Sequence, residues 1–324
     1  MKTPLEEKHL SDSDNSLKQV ARVDGTKLNP ETFAKQYRKD GIPVVITGLL
    51  DSLNNWDLDF LRDKLGNQEF PVRFNGWDRY KKEKNAWNNI GSGVESRTLS
   101  FNEYADLLSS KEAHKNDIYL GRCALRKTPL ADTPELEEAD AKLGLKMPGT
   151  SPNLWVCPGS HITPLHYDPL DGTLIQIHGE KRIVLFAPSQ TYNLYPLSLF
   201  NYLKHGLKLR ANYSQVYPEN PDFVKFPKFK KALSYRYEVI LKQGEILFIP
   251  AGWWHEVTSL GDGVVCSINR FWHVLPLTRA ATSWNKWRLH LGALMTAPYI
   301  IRTWLAAIFS KDREQKLRHL IQRL

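Results

Sequence analysis

The sequence predicts a mainly β fold, a sandwich or barrel flanked by helices, on three observations. From Asn153 onward short apolar runs recur at close spacing, punctuated by Gly and Pro, which is the pattern of a sandwich or barrel. Before that point short strand and helix patterns alternate, and after Pro276 no strand pattern remains. The expected organisation is a mobile tail over residues 1–17, one domain over 18–278 with its barrel core at about 153–272, and a helical region over 279–324.

Taken in order, Lys18–Val23 reads as a strand. Asn29-Pro-Glu starts a helix over Glu31–Lys39, because Asn caps well and Pro suits the first turn. Ile42–Thr47 is a buried strand ended by Gly48, Asp57–Leu65 a helix closed by Gly66, and Phe70–Phe74 a short strand. Phe101–Leu108 follows as a helix and Ile118–Cys123 as a strand. The turn residues and acids of Lys127–Pro152 predict a long irregular connection. The barrel runs are Leu154–Cys157, Thr173–His178, Arg182–Phe186, Tyr235–Leu241, Ile246–Ile249, Glu256–Ser259 and Val264–Trp272, interrupted by a Pro- and Lys-rich insertion over Tyr195–Lys231. Two or three helices, broken near Pro298, close the chain.

Composition bounds the function classes. The 324 residues are 42% hydrophobic and 24% charged, ordinary for a soluble globular chain. Three cysteines, odd in number and widely spaced, argue against a disulfide framework and for a reducing, cytoplasmic compartment. The polar N-terminus lacks the apolar stretch of a secretory signal. The net charge of +9 is unevenly placed: residues 279–324 hold nine Lys/Arg against two acids, and residues 201–242 nine against three. Such segments are either solvated surface or a face for RNA or a membrane. Leu291–Phe309 is apolar, but Pro298 and Arg302 interrupt it, so no transmembrane span is expected.

The residues that carry chemistry begin at His166-Tyr167-Asp168. On a strand, i and i+2 project from one face, which delivers an imidazole and a carboxylate side by side while Tyr167 turns away. A third donor, His255, follows the run EILFIP and the turn Ala251-Gly252-Trp253-Trp254. Two histidines and a carboxylate on one face of a metal form the facial triad of non-haem iron(II), which leaves positions open for co-substrate and oxygen. Either residue of the tripeptide alone also reads as structural, His166 as a satisfied barrel histidine and Asp168 as a turn cap before Pro169.

The surrounding sequence narrows the reading. Thr163-Pro-Leu-His-Tyr-Asp, Gln176-Ile-His-Gly-Glu-Lys181-Arg-Ile-Val-Leu-Phe-Ala-Pro188, Asn220-Pro-Asp-Phe, Gly244-Glu-Ile-Leu-Phe-Ile-Pro-Ala-Gly-Trp-Trp-His255 and Ser267-Ile-Asn-Arg-Phe-Trp272 stand in this order. The set, spanning roughly Asn29 to Trp272, resembles the JmjC/cupin-8 oxygenases, in the branch of asparaginyl and tRNA wybutosine hydroxylases. The resemblance implies a double-stranded β-helix and an iron(II)- and 2-oxoglutarate-dependent dioxygenase that consumes O2. It would couple oxidative decarboxylation of 2-oxoglutarate to C–H hydroxylation, of a protein or peptide side chain first, of RNA or a small molecule otherwise. A non-catalytic cupin-like binding protein is the remaining alternative.

By the same resemblance, His166, Asp168 and His255 are the iron ligands, and Lys181, Thr163 and Tyr119 receive the distal carboxylate of 2-oxoglutarate. Relatives often carry an Asn four residues after the triad Asp, where this chain has Gly172. Asn269 is then expected to supply the amide near the proximal carboxylate, although a straight count from His255 reaches Arg270. Trp272 occupies a strand end where similar enzymes place an aromatic near substrate, and Trp253 and Trp254 read as a packed barrel lid. His178, Cys157 and Cys266 read as structural. Similar enzymes pair their C-terminal helices, so a homodimer through 279–324 is expected, with a membrane-surface helix as the alternative.

Overall fold

Alternation of buried and exposed side chains sorts the strands into two packed sheets. The computed structural model describes residues 18–53, 55–84, 94–206, 211–310 and 312–313, so the expected tail over 1–17 lies outside the described residues. One sheet has five strands in the order β1 (Lys18–Gln19), β11 (Arg236–Leu241), β10 (Lys181–Phe186), β13 (Trp254–Ser259) and β8 (Ile162–Tyr167). The other has nine, ordered β2 (Ala21–Asp24), β3 (Val44–Thr47), β12 (Ile246–Ile249), β9 (Asp171–His178), β14 (Val264–Trp272), β7 (Asn153–Pro158), β6 (Ile118–Ala124), β4 (Glu69–Phe74) and β5 (Ser96–Ser100). From β7 to β14 the chain passes back and forth between the sheets, staying in one only from β10 to β11. That winding is the double-stranded β-helix.

Ile183, Leu185, Val239 and Leu241 of the smaller sheet meet Val45, Leu247 and Ile249 of the larger one. The larger sheet buries its other face under helices. Leu61 and Leu65, Phe101 and Tyr104, and Leu136 and Ala139 pack over Val44, Val72, Leu154 and Ile268. Each large apolar side chain buried this way contributes about 1.5–3 kcal/mol.

The segment expected to be irregular, 127–152, contains a helix over Pro134–Lys142. Pro134 opens it, and Leu136, Ala139 and Leu143 fall on one buried stripe, a helical period that the abundant acids hid. Ser96–Ser100, without a strand signature of its own, is an edge strand paired to β4. The helix expected over Glu31–Lys39 starts at Pro30 and passes into a π-helical turn over Ala34–Arg38, which carries Arg38 to the buried carboxylate of Asp171 at 3.7 Å. The insertion at 195–231 folds back toward the barrel through the bridges His166↔Tyr213 and Pro196↔Ser214.

The C-terminal helices Trp284–Met295 and Ala297–Ile308 pack one face on the domain. Asn285 donates to Gly252 O at 2.8 Å and Arg288 to Leu197 O at 2.6 Å, and Gly292 lets the ring of Tyr202 approach closer than any Cβ would allow. The outer face leaves Trp287, Leu294, Ile301 and Trp304 exposed. By length and composition alone the run Trp284–Ile308 could cross a membrane; its inner face is fixed to the domain by the contacts just described.

Candidate metal and co-substrate site

A turn and a buried carboxylate set the geometry of the site. Residues 250–253 link β12 to β13, and within them Gly252 takes the left-handed conformation at φ +83°, which costs glycine nothing. Gly252 N donates to Asp168 O at 2.8 Å, and Ala251 N donates to Asp171 Oδ1 at 2.9 Å. Asp171, fully buried, also holds the guanidinium groups of Arg38 and Arg279. The turn preceding His255 is thus tied to the segment that carries Asp168.

His166 and His255 are direct partners across β8 and β13, and their rings stand 4.3 Å apart. Asp168 lies one residue past the end of β8, and its Oδ2 is 3.5 Å from His255 Nε2 and 3.9 Å from His166 Nε2. Each Nδ1 faces a carbonyl two residues earlier in the chain, Pro164 O at 2.8 Å for His166 and Trp253 O at 3.1 Å for His255. A carbonyl only accepts, so Nδ1 carries the proton and Nε2 keeps its lone pair for a metal. Burial, then the neighbouring His166, push His255 down to about 4, which keeps its imidazole neutral. With all donor atoms within 4.8 Å of one another, the residues fit a divalent cation of the facial-triad kind.

The triad lies in a cavity of about 340 Å³ between the two sheets, and Thr163, Lys181, Tyr119 and Asn269 line the same cavity. Lys181 is buried; its Nζ donates to Ser267 Oγ. Burial depresses the ammonium below the usual lysine range, and its ionisable neighbours are the Cys157 and Cys266 thiols. Among the described residues it has no carboxylate in ion-pair reach. A buried cation in this state is expensive unless an anion joins it. Tyr119 stacks on His161 and Trp155 at 3.9 and 5.8 Å. Behind it, His161 Nδ1 meets Asp117 Oδ1 at 2.6 Å, and Arg79 reaches the other oxygen of Asp117 at 3.1 Å.

Strand register decides the residues whose orientation the sequence left open. Asn269 faces the cavity, its Oδ1 accepting from Trp155 Nε1 at 2.8 Å, and Phe271, two residues on, faces it as well. Arg270 and Trp272 turn the other way. Arg270 pairs with Asp140 at 2.6 Å, and Trp272 donates to Thr173 Oγ1 at 3.1 Å while buried in the core. The aromatic at the cavity on this strand is therefore Phe271, one residue before Trp272. Trp253 and Trp254 are packing groups, bonded to Gly41 O and Thr191 Oγ1. His178 meets Asn55, and the three cysteines are buried and free. A side chain at Gly172 would make ordinary contacts with Phe271 and Ile249.

Sequence reasoning missed Ser267, the partner of Lys181, and the cavity residues Arg73, Asn153, Trp155 and Tyr213. Tyr213 reaches the site from the insertion and stacks on His166 with ring centroids 5.1 Å apart. Strand alternation would have put Ser267 and Asn269 on one face; nothing local in the insertion marks Tyr213.

A barrel of this winding with two histidines and a carboxylate at its mouth defines the class of cupin-type metal-site proteins. Residues 30–277 match the cupin-like domain family, and the chain belongs to that family, among its JmjC-type members. It is 33% identical over 252 residues to JmjC domain-containing protein D of Dictyostelium discoideum, covering 71% of this chain and 52% of that protein. It is 30% identical over 262 residues to lysine-specific demethylase 8 of Danio rerio, covering 76% and 57%. Over 112 residues it is 43% identical to tRNA wybutosine-synthesizing protein 5 of Homo sapiens, 34% of this chain and 30% of that one. The chain spans about half the length of the first two relatives.

Proposed function

We propose that the protein is an iron(II)- and 2-oxoglutarate-dependent oxygenase that hydroxylates a C–H bond of a protein side chain, in a reducing, cytoplasmic setting. One observation carries the reading: three Nε2 and carboxylate donors free to share an ion stand in one cavity with a buried ammonium that lacks a counter-charge. When bound, iron(II) and 2-oxoglutarate supply the activation of oxygen and the oxidising power. His166, Asp168 and His255 hold the metal, with the carbonyls of Pro164 and Trp253 fixing the two imidazoles. Lys181, Tyr119 and Thr163 receive the distal carboxylate, and Asn269 offers an amide near the other end. Packing of Phe271 and Tyr213 around the opening keeps water from the reacting carbon.

Of the basic excess of 201–242, Lys225 is paired with Glu83 from outside the segment. The protein reading over RNA is supported by the relatives: the lysine-specific demethylase 8 match covers 76% of this chain, the tRNA wybutosine-synthesizing protein 5 match 34%. Purified protein with ferrous ion and 2-oxoglutarate should form succinate, and candidate peptides should gain one oxygen in mass. Salt-sensitive binding and oxidation of tRNA, with peptides untouched, would move the assignment to RNA.

A further inference from the structure

Resting on the oxygenase reading, we propose that Arg73 is the specificity residue of the site and that the prime substrate carries a carboxylate, as in an acidic peptide. Arg73 lies on β4, whose Phe70 and Val72 face the core. Alternation turns Arg73 the other way, to the side shared with its direct strand partner Tyr119. Both side chains line the cavity that holds the triad.

Among the described residues Arg73 has no ion pair and no hydrogen bond. The contrast with other arginines is sharp: Arg38, Arg79, Arg182, Arg236, Arg270 and Arg279 each hold a carboxylate. Among the described residues of the cavity lining only Arg73 and Lys181 carry fixed positive charge, and only Asp168 carries negative charge.

Charge bookkeeping then assigns the partner. A divalent metal, the Asp168 carboxylate, the Lys181 ammonium and the 2-oxoglutarate dianion sum to zero. The guanidinium of Arg73 is left over, in a partly enclosed space where charge is weakly screened. A monoanion on the prime substrate balances it, and a planar guanidinium matches a carboxylate through two parallel hydrogen bonds. A phosphate monoester would overshoot the balance.

The test is calorimetric binding to protein loaded with 2-oxoglutarate and a redox-inert divalent ion, so that no turnover occurs. The probes are pooled hexapeptides carrying one Asp or Glu, otherwise identical pools carrying Asn or Gln, and pools carrying Lys. Wild type should bind the acidic pools about tenfold or more tightly than the amide pools. Arg73→Gln should abolish that discrimination, and Arg73→Glu should shift preference to the Lys pools. Equal affinity of wild type for acidic and amide pools would overturn the proposal, as would discrimination that survives in Arg73→Gln. If Arg73→Gln weakens 2-oxoglutarate itself and leaves peptide preference intact, the guanidinium serves the co-substrate and the proposal fails. Preferential binding of an oligoribonucleotide over every peptide pool also refutes it. Succinate formation by wild type without any peptide reports the oxygenase reading separately, so the two failures are distinguishable.

Discussion

His166 and His255 stand on paired strands of the five-stranded sheet, and each imidazole is fixed by a carbonyl two residues away. Arg73 and Tyr119 stand on paired strands of the nine-stranded sheet, where Tyr119 stacks on His161, itself held by Asp117, while Arg73 has no polar partner among the described residues. On the first wall the three donor side chains already converge, and a carbonyl holds each imidazole. The facing wall is finished only in part. Fixed geometry belongs where chemistry is shared by every turnover, and an open valence belongs where the substrate must be recognised.

The largest effect should come from the support of the metal wall. Asp171→Asn leaves the charges of Arg38 and Arg279 without their buried partner and should cost about 3–5 kcal/mol, read as a lowered denaturant midpoint. Small loss of stability would mean that the 250–253 turn holds itself. Next, Lys181→Met should weaken 2-oxoglutarate about 30-fold or more, because a desolvated ammonium–carboxylate pair is removed. The same variant without ligand should melt no lower than wild type, since an uncompensated buried cation has gone; a drop in melting temperature would show that the Ser267 contact outweighs desolvation. The smallest effect should follow Tyr119→Phe, which removes one hydroxyl from the facing wall. It should weaken 2-oxoglutarate about 3–10-fold with metal affinity unchanged, and a loss of metal affinity would erase the division between the walls.

The metal wall was also the more legible. His166 and Asp168 are two residues apart on a strand end, and Lys181 follows on the next strand of the same sheet, so local spacing and motif resemblance reach them. Asn269 was found with its register open between neighbours, because β14 carries an irregularity near Ser267 that a linear count cannot see. The same ambiguity exchanged Phe271 for Trp272. Arg73 could not be read at all: EFPVRF alternates plainly, but which face meets a cavity depends on β6 lying beside it, some 45 residues on. The helix over Pro134–Lys142 was missed because its exposed acids dominate its composition, although its buried stripe has an ordinary helical period.

The central claim is that three side chains hold one divalent ion and that 2-oxoglutarate binds across that ion to Lys181. It is tested most directly by anaerobic calorimetric titration of 2-oxoglutarate into wild type and Asp168→Ala, each with and without ferrous ion. Wild type should bind 2-oxoglutarate about 100-fold or more tightly with the metal present, and Asp168→Ala should show no metal-dependent gain. Equal 2-oxoglutarate affinity with and without ferrous ion in wild type, or an undiminished metal-dependent gain in Asp168→Ala, would contradict it.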